Sequence, residues 1–122
     1  MKVLVVDDSQ IMRRIIVGAL EKAGIKDVLE AADGEQAVAS VAKNADVKLI
    51  LMDWNMPNMT GIEALGKIRA AGSVVPIIMV TTESEKERVL EAIKAGANDY
   101  LAKPFDPKAI QGKLEKFLGL KA

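Results

Sequence analysis

Hydrophobic residues along this chain fall into two spacings that take turns. Short apolar runs stand at Val3–Val6, Val28–Ala31, Leu49–Met52, Pro76–Val80 and Tyr100–Ala102. The first, third and fourth are apolar almost throughout, as in strands covered on both faces. The second and fifth are shorter and mixed, which suits the edges of a sheet. Between the runs, apolar residues recur at helical spacing. Met12, Ile15, Ile16, Ala19, Leu20 and Ala23 form the first stripe, and Ala37, Val38, Val41 and Ala42 the second. Ile62, Leu65 and Ile68 form the third, Val89, Leu90 and Ile93 the fourth, and Ile110, Leu114, Phe117 and Leu118 the fifth.

The punctuation agrees with this division. Thr60 precedes Glu63, and Ser84 precedes Glu87, at the spacing of a capping box. Asp33 with Gln36 is a weaker form of the same signal. Asp106 followed by Pro107 reads as an N-cap with proline at the first helical position. Gly24, Gly72 and Gly96 each follow an alanine where a helical stripe stops, as C-terminal caps do. The expected fold is α/β: a (βα)5 chain forming a five-stranded parallel sheet with helices on both faces. With no internal repeat, linker or low-complexity segment, residues 1–122 are expected to form a single domain.

Composition narrows the chemistry. Half the residues are hydrophobic, enough for a substantial core. Seventeen basic residues balance seventeen acidic ones, so nothing points to nucleic acid. The chain has neither cysteine nor histidine, which removes disulfides, thiolate metal sites, the commonest general base and any phosphohistidine carrier. The apolar run within MKVLVVDD is too short for a signal sequence or a membrane span, so a cytoplasmic location is expected.

The polar residues then become informative by where they fall. Asp7 and Asp8 follow the first strand, Asp53 ends the third, Thr81 and Thr82 follow the fourth, and Lys103 follows the fifth. Strands of a parallel sheet end on one rim, where open α/β sheets bind their ligands. Carboxylates gathered there repel one another unless a cation sits among them. Magnesium suits such a set, since it takes oxygen ligands and often uses one or two carboxylates beside phosphate oxygens. The turn after Asp53 can add the backbone carbonyl of Asn55. Lys103 supplies a compact positive charge for a carboxylate or an arriving phosphoryl group. The Lys103–Pro104 bond admits a cis isomer that would turn the lysine over the sheet edge. The Thr81 hydroxyl can donate to a phosphoryl oxygen on Asp53, while Thr82 reads as a cap for the next helix. Carboxylate, magnesium and lysine together make a phosphoryl-transfer set in which aspartate is the nucleophile.

Four stretches carry a family resemblance: VVDDS at Val5–Ser9, MDWNMPNMTG at Met52–Gly61, MVTTE at Met79–Glu83 and YLAKPF at Tyr100–Phe105. With them in this order, the chain resembles the receiver domain of bacterial two-component response regulators, most closely the single-domain chemotaxis branch. The resemblance implies a flavodoxin-like sheet of order 2-1-3-4-5, which the alternation alone leaves open. It implies Asp53 as phospho-acceptor, with Asp8 and the Asn55 carbonyl in direct contact with Mg2+ and Asp7 acting largely through water. Thr81 corresponds to the switch threonine, Lys103 to the family lysine, and Tyr100 to the aromatic residue that turns inward on activation. The implied donor is a phosphohistidine on a CheA-like histidine kinase. The implied output is a changed surface on the fourth helix, fifth strand and fifth helix, binding a flagellar motor switch protein or another target, with a phosphatase as a further partner. Surface candidates by analogy are Lys86, Val89, Ile93, Ala102, Phe105, Lys113 and Lys116. Such a protein is a switch that catalyses only its own phosphorylation and dephosphorylation.

Several residues need separate treatment. Trp54 reads as a packing residue in a loop and, beside the acceptor, as a reporter. Arg13 and Arg14 read as a solvated helix face. Thr82 and Thr60 depart from the branch, where a smaller residue and an acid or amide are common, and Thr82 with Glu83 bears on access to the phosphoryl group. Three rival functions fit parts of the pattern. A magnesium-dependent phosphohydrolase with an aspartyl intermediate would want a second acid where Asn55 stands. A flavin carrier would meet repulsion from Asp7 and Asp8. A phosphate-sink receiver would have the same sequence features as a motor-binding one.

Overall fold

The computed structural model describes residues 2–82, 86–103 and 107–119. Strands and helices alternate throughout: β1 (Lys2–Val6), α1 (Gln10–Lys22), β2 (Asp27–Ala31), α2 (Gly34–Lys43), β3 (Val47–Asp53), α3 (Gly61–Ala70), β4 (Ile77–Thr82), α4 (Lys86–Ala95), β5 (Asp99–Lys103) and α5 (Pro107–Leu118). The strands form one sheet in the order β2-β1-β3-β4-β5, and every pairing is parallel. The two mixed runs are the edge strands, as their composition predicted.

Successive strand residues face opposite sides of a sheet, so each central strand feeds two cores. Leu4, Val6, Ile50, Met52, Ile77 and Met79 pack on one side with Ala37 of α2, Leu65 and Ile68 of α3 and Ala92 of α4. Val3, Val5, Leu49, Leu51, Ile78 and Val80 pack on the other with Ile16 and Leu20 of α1 and Ile110 and Leu114 of α5. Residues of both sets are almost wholly withdrawn from water. That burial explains why runs such as Leu49–Met52 show no polar alternation.

The helix ends follow the punctuation where they are described. Thr60 and Glu63 form the expected reciprocal capping box on α3, and Asp33 caps α2 through the Gln36 amide. Ser9 caps α1 by accepting from the Met12 amide, a cap the sequence reading missed. Gly24, Gly72 and Gly96 all adopt positive φ, at 94°, 94° and 117°. The Ser84–Glu87 and Asp106–Pro107 signals and the Lys103–Pro104 isomer involve residues outside the described ones, as does Phe105.

Two expectations require correction. The strands are longer than their apolar runs. β3 starts at Val47 because Lys48 points to solvent while its neighbours stay buried, and β4 starts after Pro76, which has no N–H to give the ladder. At the other end, Thr81, Thr82 and Lys103 are the closing residues of strands, where they were expected just beyond them. The helical stripes are also narrower than predicted. Ile15, Leu90 and Ile93 are 56%, 67% and 43% exposed, and the residue that seats α4 on the sheet is Ala92. No described helix is long and apolar enough to cross a membrane.

Candidate functional site

Asp53 is the last residue of β3, paired in the sheet with Val80 of β4. Its surroundings leave little room. A side chain at Gly61 would collide with the Asp53 carbonyl oxygen, so glycine lets the start of α3 close against the strand end. The Gly61 amide donates to the Trp54 carbonyl at 2.8 Å, and the Trp54 amide to Val80 at 3.3 Å. Trp54 itself is buried in the core beside Asp53, as a packing residue.

Asp7 follows β1, next to β3 in the sheet. Its amide donates to the Ala31 carbonyl at 3.1 Å, and its Oδ1 accepts from the Ser9 amide at 2.9 Å. The Asp7 carbonyl accepts from Arg13 Nη1 at 2.6 Å, and Arg13 Nε pairs with Glu30 at 3.1 Å. Arg13 is therefore a clamp between β1, α1 and β2, contrary to its expected place on a solvated face; Arg14 is exposed as expected. The i+4 relation of Arg13 to Ser9 on the first turns of α1 was the only signal, and it does not distinguish the two roles.

Lys103 closes β5, two strands away from β3, and spans the gap with its length. Its Nζ lies 3.0 Å from Asp53 Oδ1 and 3.3 Å from Asp7 Oδ2. Asp7, Asp8 and Asp53 each offer one carboxylate oxygen within 4.8 Å of the others. Asp7 and Asp53 are buried and Asp8 is exposed, so the cluster opens to solvent on one side. Burial pushes the Asp53 carboxyl above its ordinary value and Asp7 adds to this, outweighing the Lys103 hydrogen bond and charge. Burial alone would lower the Lys103 ammonium, but Asp53 and then Asp7 hold it above its ordinary value. Among the described residues, three carboxylates gather beside one ammonium, an all-oxygen donor set with a surplus of negative charge. That set fits a hard divalent cation such as magnesium. Asn55 stands exposed in the loop two residues after Asp53.

Thr81 is buried, the penultimate residue of β4, opposite Ala102 of β5. Tyr100 is 43% exposed and faces outward, with the Lys113 ammonium 5.8 Å from its ring centre. Lys113 and Lys116 of α5 both reach Asp99 Oδ2 at 3.0 Å, and the Tyr100 amide donates to Asp99 Oδ1 at 2.8 Å. Burial would raise the Asp99 carboxyl, but the two lysines overcome it and hold it below the ordinary 3.8. A shallow pocket of about 460 Å³ lies here, lined by Tyr100, Ala102, Lys108, Lys113 and Lys116. Of the surface candidates, Ile93 and Lys116 are exposed and Val89, Ala102 and Lys113 half-buried; the Lys86 side chain lies outside the described residues. Asp99 escaped the sequence reading, because a single acid before an aromatic strand residue carries no pattern of its own.

The sequence profile described as response regulator receiver domain matches residues 3–115. The chain belongs to this receiver family. A Campylobacter jejuni relative named chemotaxis protein CheY homolog is 52% identical over 121 residues, covering 98% of this chain and 93% of that protein. Helicobacter pylori chemotaxis protein CheY1 is 50% identical, covering 98% of both chains. The solved Vibrio cholerae chemotaxis protein CheY4 superposes with a TM-score of 0.86 at 39% identity, covering 95% of this chain and 97% of that one. A probable response regulator/GGDEF domain protein superposes with a TM-score of 0.90 at 30% identity over 98% of this receiver, which spans 49% of that longer chain. This receiver is thus homologous to the CheY chemotaxis response regulators and shares their flavodoxin-like fold, in keeping with phosphorylation-activated signalling. Receivers of this kind are signalling switches that generally use Mg2+ at an acidic pocket and work between a kinase and a downstream target.

Proposed function

We propose that residues 1–122 act as one chemotaxis receiver whose switch is set by phosphorylation of Asp53. The observation that supports this most directly is the convergence of Asp7, Asp8 and Asp53 on one another, with Lys103 paired to Asp7 and Asp53. The donor is a phosphohistidine of a CheA-like histidine kinase. An Asp53 carboxylate oxygen attacks the phosphorus in line, the P–O bond forms, the P–N bond breaks, and the imidazole nitrogen leaves with the electron pair. Asp8, Asp53 and the Asn55 carbonyl would hold Mg2+, with Asp7 acting through water. When bound, Mg2+ supplies positive charge against the phosphoryl oxygens. Lys103 adds its own charge from the opposite edge of the pocket.

The acyl phosphate carries about −1.5 to −2 of charge, where the free carboxylate carried about −1, at a rim already in surplus of negative charge. Lys103 leaves its two carboxylates for the phosphoryl group, and the Thr81 hydroxyl donates to it. Withdrawal of Thr81 clears space for Tyr100, which turns inward and away from Lys113. The surface of α4, β5 and α5 changes with it, and a flagellar motor switch protein or other target binds. A population moved from mostly resting to mostly active requires about 5.5 kcal/mol of differential stabilisation, supplied jointly by phosphorylation and target binding. A phosphatase completes the cycle. The protein works in the cytoplasm, without nucleic acid or membrane, and turns over no external substrate.

Trp54 fluorescence tests this reading. Mg2+ changes the emission, acetyl phosphate with Mg2+ changes it further, and Asp53→Asn removes the second response while keeping the fold. Thr81→Ala is expected to accept the phosphoryl group yet lose phosphorylation-dependent target binding. Unaltered binding by Thr81→Ala would break the proposed coupling.

A further inference from the structure

We propose that Asp33 and Asn58 form a clamp that holds the β3–α3 loop in its metal-binding shape, making Asp33 a positioning residue for a divalent cation it never touches. The inference rests on the reading above that the Asn55 carbonyl is a metal ligand. Asp33 lies in the β2–α2 loop and is 8% exposed. As the cap of α2 it needs one oxygen, and Oδ1 fills that role by accepting from the Gln36 amide at 2.8 Å. Serine would cap about as well. The second oxygen does something a serine cannot: Oδ2 accepts from Asn58 Nδ2 at 3.0 Å, across 25 residues of sequence.

Asn58 is the one non-glycine residue at positive φ among the described residues, at 68°. Glycine adopts that backbone without strain, and asparagine is the next best choice. An asparagine here therefore retains a side chain at a conformational cost, and that side chain makes the bond to Asp33. A second contact lies beside it. A Cβ on Gly34 would sit 2.8 Å from the Met59 carbonyl oxygen and 2.9 Å from Met59 Cβ, so the first turn of α2 rests directly on the loop. The loop is thus held at its ends by the Trp54–Val80 and Gly61–Trp54 bonds and in its middle by Asp33. Asn55 and Pro57 lie between these anchors, so the direction of the Asn55 carbonyl is set by all of them together.

A cation that binds only the ordered loop has an apparent affinity reduced by the fraction of molecules in which the loop is ordered. Release of the clamp lowers that fraction without removing any ligand. The test is titration of the full chain with Mg2+, followed by amide chemical shifts so that the readout is independent of Trp54. Each variant is checked for folding by urea denaturation. Asp33→Ser keeps the helix cap and loses the clamp, and we expect Mg2+ binding to weaken about threefold to tenfold. Asn58→Gly keeps the backbone conformation, loses only the amide, and weakens binding to a similar degree. The double variant is no weaker than the single ones, because both remove one interaction. Asp33→Asn restores wild-type affinity, since the Asn58 amide can turn over and accept instead of donate. Wild-type affinity in a folded Asp33→Ser or Asn58→Gly protein overturns the clamp and leaves the metal-site reading standing. Absence of Mg2+ binding in the wild type overturns both.

Discussion

Asp53 sits where its own charge is disfavoured. Burial raises its carboxyl, and the nearby Asp7 raises it further against the pull of Lys103. Between the unfolded value of 3.8 and the raised folded value, the native state holds the proton more tightly than the unfolded chain. Native stability therefore falls as pH rises through that window, and ionised Asp53 remains a cost at neutral pH. Asp53→Asn is expected to raise the urea midpoint at pH 7 in the absence of divalent ions. The gain over wild type shrinks as pH falls through the raised value, and added Mg2+ narrows it, because the wild type offers the cation three carboxylates and the variant two. Asp99 has the opposite sign. Its carboxyl is held below 3.8, so its contribution is complete above that value and is lost as pH falls through the depressed one. Asp99→Asn should lower the urea midpoint at pH 7 and match wild type once the acid limb has passed below the native value. These two residues differ in what a sequence can show: Asp53 is marked by the apolar run before it, whereas Asp99 acquires its role only when α5 brings two lysines to it.

Among the elements, α3 and α4 show where pattern reading succeeds and where it fails. The third stripe pointed Leu65 and Ile68 inward, and both are buried. The fourth stripe held Leu90 and Ile93, and both are exposed, Ile93 as its place among the surface candidates implied, because α4 meets the sheet through the small Ala92 and a hydrophobicity pattern weighs alanine lightly. Leu65→Ala should cost about 2 to 5 kcal/mol in chemical denaturation, whereas Leu90→Ala should fall within about 0.5 kcal/mol of wild type. The C-terminal end of α4 is held by Arg69 of α3. Arg69 Nε and Nη2 donate to the Gly96 carbonyl at 3.0 and 2.9 Å, Nη1 to Ser73, and Nη2 to Asn98 Oδ1, which also accepts from the Ile77 amide. Arg69 offered no periodic signal beyond its place on an amphipathic helix. Arg69→Met is expected to destabilise by about 2 to 3 kcal/mol while leaving phosphorylation of Asp53 intact.

At the scale of the molecule, the alternation of periods was enough to predict a parallel sheet, its two edge strands and one rim rich in acids. It could not order the strands, since five parallel strands with helical crossovers can be arranged in many ways; the order came with the family motifs. That order brings β1 beside β3, and so Asp7 beside Asp53. The reach of Lys103 to Asp7, across 96 residues of sequence, then follows from strand neighbours and the length of a lysine side chain. Contacts made to loops, such as Arg13 of α1 to the Asp7 carbonyl and Asp33 to Asn58, depend on backbone positions that exist only after the sheet has formed. The central claim is that this rim captures Mg2+ and lets Asp53 be phosphorylated. Its most direct test is the intact mass of the protein after incubation with acetyl phosphate, with and without Mg2+. The account predicts a gain of one phosphoryl group that requires Mg2+ and is absent from Asp53→Asn. No gain in the presence of Mg2+, or an equal gain in Asp53→Asn, would contradict it.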